Sequence, residues 1–313
     1  MGGVGEAWIF GDPALGSVLA AMPSLGARDA VTVAPVDGGI TNRNFLVAGG
    51  GHRYFLRMAG AKTEVLGIDR GVEAAAARAA ADSGIAPQVV AADPDNGCLV
   101  TEFVDGFPIA PERMREPEVL GRVVTSVKAF HSAHSIPGTF SPFAVVEAYR
   151  RAARERGVEE PDAYAWLSER AHSIKRSFDA FPVTSRPCHN DLLNANFIEC
   201  DGRVLIVDYE YAGMGDLYFD LGNMSVNNDL DDHANEALLE FYFGDVTAAR
   251  RARLHLMRIM SDFREAMWGH LQRALSTLDF DYKGYADEHF ERCRRQASDP
   301  SYERWLSDAA GGN

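Results

Sequence analysis

Four cysteines in 313 residues, Cys98, Cys188, Cys200 and Cys293, stand without a C-x-x-C pair or any regular spacing. That leaves no basis for a disulfide framework or a cysteine zinc site, and it fits a reducing compartment. No apolar run approaches the roughly 20 residues that cross a bilayer, and no basic segment, apolar core and cleavage site follow one another at the start. Basic charge is scarce: 31 Lys and Arg face 45 Asp and Glu, a net charge of −14, and no basic stripe tracks along the chain. Such a balance repels nucleic acid and favours cationic partners. The pattern G-x-x-x-x-G-K-[ST] is missing, which argues against a P-loop nucleotide site. Internal repeats and low-complexity linkers are missing too. Together these absences predict a cytoplasmic protein, monomer or homodimer, that engages neither membrane nor nucleic acid.

What is present suffices for two lobes with substantial cores. Residues 12 to 26 read as a short helix. "VTVAPV" at 31 and "NFLVAGGGHRYFLR" from 44 to 57 read as three antiparallel strands, the last two joined across a glycine cluster. The alanine-rich "DRGVEAAAARAAADSGIAP" predicts a helix capped by Asp69 and stopped at Gly84 and Pro87, and "QVVAA" and "CLVTEFV" predict two further strands. A five-stranded antiparallel sheet with one main helix follows. From residue 111 the pattern is helical, over 112–135, 141–156, 160–179, 233–243, 246–277 and 282–297. The fold class is therefore α+β and bilobal, with the boundary at "VDGFPIAP" dividing 1–106 from 107–313.

One stretch of the second lobe is dense in carboxylates and amides: "CHNDLLNANFIECDGRVLIVDYEYAG", residues 188 to 213. "NFIEC" and "RVLIV" are β-prone runs joined by Asp201 and Gly202, a two-residue hairpin signal. That turn sets Cys200 opposite Arg203, Phe197 opposite Ile206 and Asn196 opposite Val207, with Asp208 beside Asn196. Facing side chains lie about 5 Å apart, close enough for an amide oxygen and a carboxylate to share Mg²⁺. Asp191 precedes Asn196 by five residues and reaches the same cleft. His189, Asp191 and Asn196 have the H-x-D-x-x-x-x-N spacing of a kinase catalytic loop. Asp191 would accept the proton of an attacking hydroxyl, and His189 would brace the loop.

These motifs resemble those of the aminoglycoside phosphotransferase and choline/ethanolamine kinase superfamily, whose members share a protein-kinase-like fold, and most resemble the bacterial LicA type. The likeness spans about residues 31 to 295. It implies that Glu210, in "IVDYEYAG", joins Asn196 and Asp208 at the metal. It implies that "DGGITNRNFLV", with Gly38, Gly39, Thr41, Asn42 and Asn44, forms the loop over ATP. Arg57 in "RYFLRM" would bind phosphate with Glu73 as its partner, and Glu102 and Val104 in "TEFVDG" would meet the adenine. The implied activity is ATP- and Mg²⁺-dependent phosphorylation of a small-molecule hydroxyl, most simply on an amino alcohol. An aminoglycoside acceptor is the alternative, and a non-catalytic nucleotide-binding scaffold a more distant one.

The resemblance also bears on the acceptor. Family members carry two tryptophans three residues apart in an aromatic cage; here Trp268 matches the second, and Glu265, next to Arg264, stands at the first. Asn227 replaces an acidic residue, while Tyr211 matches a substrate-side tyrosine. A carboxylate at 265 gives a quaternary ammonium charge attraction without a hydrogen bond, so Glu265 in the cleft would favour a cationic amine that bears N–H groups.

Overall fold

The computed structural model describes residues 31–36 and 42–311. The helix expected over 12–26, and Gly38, Gly39 and Thr41, lie outside those residues. The chain opens with β1 (Thr32–Val36), β2 (Asn42–Gly49) and β3 (His52–Ala59), continues through helix α1 (Arg70–Asp82), then β4 (Val89–Asp93) and β5 (Cys98–Glu102). The five strands form one antiparallel sheet in the order β1-β2-β3-β5-β4. Gly50 and Gly51, both at positive φ (59° and 81°), make the tight β2–β3 turn that the glycine cluster predicts.

Period-two alternation sorts the side chains of this sheet. Phe45, Val47, Tyr54, Leu56 and Met58 pack with Val33, Cys98 and Val100 on one face. Arg57, between Leu56 and Met58, therefore points to the opposite face, toward α1. Helix α1 begins where the Asp69 carboxylate accepts from the Gly71 and Val72 amides (2.8 and 3.0 Å). Its alanines Ala76, Ala79 and Ala80 are wholly buried, since small side chains let the helix lie close to its neighbours.

The rest is mainly helical: α2 (Pro117–His131), α3 (Pro142–Glu155), α4 (Tyr164–Ala180), α5 (Leu217–Asn227), α6 (Asp232–Phe243), α7 (Ala248–Leu275), α8 (Tyr282–Ala297) and α9 (Tyr302–Ala310). Three places depart from the periodicity-based expectation. Residues 111–115 form a 3₁₀ turn, because Pro117 holds Glu116 extended and starts α2 at its own first position. Helix α5 was not expected because it is buried on all sides and carries Asp220, Gly222 and Asn223, which blur the 3.6-residue stripe. The short α9 lies beyond residue 297, where the periodicity gives no further element.

Helix α7 is the axis of this region, buried without a break from Ile259 to Gln272. Its Asp262 is matched inside the protein: it accepts from Arg292 (2.6 Å) and Gln296 (2.5 Å) of α8 and pairs with His289 (3.0 Å). Inserted before α5 are the strands β7 (Arg186–Cys188), β8 (Phe197–Cys200), β9 (Arg203–Ile206) and β10 (Gly213–Gly215). The two-residue β6 (Phe107–Pro108) pairs with β8, so the segment that leaves the large sheet is stitched to the hairpin. Among the described residues, no helix is long and apolar enough to cross a membrane.

Helices α5 and α7 touch backbone to backbone at Gly222. A Cβ there would lie 2.7 Å from the Met257 carbonyl carbon and 2.8 Å from the Arg258 nitrogen. Gly222→Ala is expected to cost about 1–3 kcal/mol through overpacking, seen as a lower urea midpoint; an unchanged midpoint would show that the crossing has slack.

Candidate active site

The strands β7 and β10 pair Cys188 with Gly213, which brings the loops 189–193 and 207–212 side by side. The first loop is anchored by one buried carboxylate. Asp220 of α5 accepts from the His189 amide (2.7 Å) and the Asn190 amide (2.6 Å) and pairs with His131 Nε2 (2.9 Å). Asn190 takes a left-handed conformation (φ 67°), and its side-chain amide donates to the carbonyls of Cys188 and Tyr211. The Leu192 amide donates to Asn223 (2.6 Å), and Asn228 donates to the Leu192 carbonyl (3.2 Å). His189 receives the Asp191 amide on Nδ1 (3.2 Å), so its proton sits on Nε2, 3.0 Å from the Val207 carbonyl. Burial lowers the His189 pKa, which keeps the ring neutral in this bracing position.

Asp191 emerges from the locked loop with its side chain 15 % exposed. Burial pushes its carboxyl up to about 7; Arg264 opposes the rise, and Glu265 and Glu210 add to it. The hairpin beyond it has the register expected from the sequence: Cys200 faces Arg203, Phe197 faces Ile206, and the Val207 amide donates to the Asn196 carbonyl (3.0 Å). Asn196 gives its amide N–H to the Asp191 carbonyl (2.9 Å), which leaves the side-chain oxygen and its lone pairs to coordinate a cation. Asp208 is held in a left-handed conformation (φ 68°) and accepts no hydrogen bond among the described residues. The residue is exposed, with charged neighbours crowded about it. Desolvation, then repulsion from Glu210, Glu73 and Asp191, raises its carboxyl well above the usual range, with Arg57 pulling the other way. An all-oxygen donor set with surplus negative charge fits a hard divalent cation.

Across the cleft, Arg57 donates to Glu73 (2.6 Å) and to the Gly97 carbonyl (2.9 Å). Burial pushes the Glu73 carboxyl up, against the pull of Arg57 and Arg70. Arg70 extends the pair into a ladder: it donates to Glu73 (2.9 Å), to Glu210 (3.1 Å) and to Asn42 (3.0 Å), and Asn42 donates in turn to Glu210 (2.9 Å). Glu210, assigned to the metal by resemblance, thus has one carboxylate oxygen engaged by the protein. Asn44 stands opposite Arg57 on the neighbouring strand. Glu102 ends β5, with Val104 in the segment leading to β6.

On the remaining side, α7 brings Arg264 to Asp191 (3.4 Å) and into an ion pair with Glu265. The Arg264 guanidinium lies 4.3 Å from the Tyr211 ring centroid. Trp268 donates its indole N–H to the Tyr211 hydroxyl (3.1 Å), and the Tyr285 hydroxyl donates to Glu265 (2.9 Å). Tyr211, Glu265 and Trp268 are therefore gathered around Asp191. Asn227 stands apart from them, on a polar cavity of about 360 Å³ lined also by Glu112, Arg115, Asn194 and Asp229.

Sequence reasoning missed three residues of this site. Arg70 carried a signal, the three-residue spacing to Glu73 in the first turn of α1. Asp220 carried only its place in "DLYFDLGN". Arg264 stands out in the sequence only as the neighbour of Glu265, with which it does pair, whereas it is also 1 % exposed and touches Asp191.

A family model described as "Phosphotransferase enzyme family" matches residues 32–255. Ethanolamine kinase 1 of Mus musculus is 26% identical over 275 residues, covering 76% of this chain and 75% of that protein. Among solved structures, a choline/ethanolamine kinase family protein from Mesorhizobium loti superposes with a TM-score of 0.79 at 29% identity, over 95% of this chain and 99% of that one. LicA in complex with AMP superposes with a TM-score of 0.75 at 21% identity, over 93% and 99%.

Two outcomes follow from the geometry. Asp220→Asn removes the charge that receives two loop amides and His131, so it is expected to destabilise the fold by about 1–3 kcal/mol, measured by urea denaturation; an unchanged midpoint would mean that the loop is held elsewhere. Asp208→Asn should act in the opposite sense. A carboxyl whose pKa is raised on folding costs stability at neutral pH, and that cost fades as pH falls through the folded pKa. The ligand-free variant should melt higher than the parent at pH 7 and converge with it in acid; a lower midpoint at pH 7 would contradict the repulsion.

Proposed function

The chain belongs to the phosphotransferase enzyme family and is a kinase, and we propose that it transfers the γ-phosphoryl group of ATP, with magnesium, to the hydroxyl of a small amino alcohol. The observation that carries this reading is the position of Asp191: a partly exposed carboxylate on a loop locked from behind, next to Asn196, with Asp208 across the hairpin. Amino alcohols as the acceptor class are supported by the names of the relatives, an ethanolamine kinase and a choline/ethanolamine kinase family protein.

In this reading Asp191 takes the acceptor's proton, and a carboxyl raised to about 7 suits proton exchange near neutrality. His189 does not touch substrate; it fixes the loop that carries the base. Arg57, aimed by Glu73, pairs with phosphate oxygens, and Arg70 ties the same carboxylate to Glu210 and Asn42, so that both sides of the cleft keep one geometry. Asn196 and Asp208 would hold Mg²⁺, with Glu210 beside them; when bound, the ion neutralises charge on the transferring phosphates. Asn42 and Asn44, at the start of β2, face the phosphates in this reading, and Gly38, Gly39 and Thr41, outside the described residues, keep the ATP-binding role that the family likeness implies. Main-chain groups at Glu102 and Val104 receive the adenine, and the lobes divide at 106/107.

The test is ADP release by the full chain with ATP, Mg²⁺ and a panel of hydroxylated amines. Asp191→Asn should lower turnover by roughly 10²–10⁴-fold with the thermal midpoint kept, and Asp208→Asn should lose magnesium-dependent transfer. Equal turnover by the parent and Asp191→Asn would refute the assignment of the base.

A further inference from the structure

Resting on that reading of the cleft, we infer that the acceptor carries, beside its reacting hydroxyl, both an N–H-bearing ammonium and a carboxylate. It is a hydroxylated amino acid and not a quaternary ammonium alcohol, and Arg264 and Glu265 select it. One face of Tyr211 is taken by the protein's own cation, with the Arg264 guanidinium 4.3 Å from the ring centroid. A substrate ammonium would otherwise find its cation–π contact there. The neighbouring rings are also occupied with one another: Trp268 spends its N–H on Tyr211 and packs edge-on against Tyr285 (5.6 Å) and Tyr282 (6.0 Å). Beside the base there is consequently a charge pair where an open aromatic box would be needed for a trimethylammonium group.

That charge pair is incompletely used. A guanidinium offers five N–H donors, and in Arg264 a single nitrogen, Nη1, serves both Asp191 (3.4 Å) and Glu265. Among the described residues its Nε and Nη2 have no hydrogen-bond partner, although the residue is 1 % exposed and the Tyr149 hydroxyl lies beside the guanidinium. Buried donors left over in this way call for an acceptor. A carboxylate suits them best, since it can take two parallel N–H bonds from one guanidinium. Glu265, with one oxygen on Arg264 and one on the Tyr285 hydroxyl, is the nearby anion for an ammonium.

Asp191 and Glu265 share the one arginine and leave one surplus negative charge, which the ammonium offsets, while the carboxylate takes the guanidinium donors left over; a quaternary ammonium supplies the charge without an N–H for Glu265. The transfer itself is unchanged: the hydroxyl oxygen bonds the γ-phosphorus of ATP as the bond to the bridging oxygen breaks, ADP leaves, and the hydroxyl proton passes to Asp191.

L-Serine, ethanolamine and choline form a matched set, since serine is ethanolamine with a carboxylate and choline is ethanolamine with three N-methyl groups. With the full chain, ATP and Mg²⁺, kcat/KM is expected to be highest for serine, by roughly tenfold or more over ethanolamine, and lowest for choline. Arg264→Met/Glu265→Gln removes the pair together but also takes the cation from Asp191, so the readout is the serine-to-ethanolamine ratio of kcat/KM, which should fall at least roughly tenfold while the KM for ATP holds. Arg264→Lys should recover part of the loss, and melting curves would report whether either variant is folded. Ethanolamine or choline equal to or better than serine, or an unaltered serine-to-ethanolamine ratio in the folded double variant, would overturn the inference. Phosphorylation of other hydroxyl compounds with none of the three used would overturn it too and leave the phosphotransferase reading standing. If no hydroxyl compound yields Asp191-dependent ADP release, the reading of the cleft fails with it.

Discussion

A carboxylate with no solvent exposure holds the reactive loop in place. Asp220 receives the amides of His189 and Asn190 and the ring of His131, three groups from two elements converging on one side chain. Burying a charge is tolerable only when hydrogen bonds replace its water, and here they do. Because those bonds run to the main chain of the loop, they set where Asp191 begins. Asn190 can adopt its left-handed conformation because the surrounding bonds over-determine it. The placement of Asp191, the proposed base, thus originates in α5, behind the loop.

In front of the loop the electrostatics have the opposite character. Asp208, Glu210, Glu73 and Asp191 influence one another; Arg57, Arg70 and Arg264 offset the crowding, yet the carboxyls of Asp208, Glu73 and Asp191 stay raised. A fold optimised for stability alone would not gather carboxylates in this way. A cation and a polyphosphate together would relieve the imbalance, which is the physical sense in which the site is built for ligands it does not itself contain. The ladder from Arg57 through Glu73 and Arg70 to Glu210 and Asn42 also spans from the sheet and α1 to the hairpin region, so the charges on the two sides of the cleft report on each other's position.

Helix α7 supplies the third wall, and it does so with charge. An arginine and a glutamate at consecutive positions on a helix usually point in different directions, yet both are buried here, because α7 is enclosed all round by its neighbours. Arg264 reaches Asp191 and Tyr211, and Glu265 reaches Tyr285 of α8. The acceptor side of the cleft is therefore a network of paired polar groups in which the aromatic rings serve as walls.

Much of this could be read from the chain before any fold was known. The β8–β9 register followed from Asp201 and Gly202, the cap of α1 from Asp69, the five-stranded sheet from alternation and turns, and the meeting of Arg57 with Glu73 from family likeness. These are local features or motif spacings, and local chemistry determines them. Asp220, Arg70 and Arg264 were not legible in the same way, because each acts on a partner far away in sequence: Asp220 on residues about thirty positions earlier, Arg70 on Glu210, and Arg264 on Asp191. Whether a charged side chain is solvated or buried against a distant carboxylate depends on which elements close over it, and that closure exists only in the tertiary structure. The sequence by itself determined what kind of site this is; the packing of α5 and α7 decided how the base is held and what faces it.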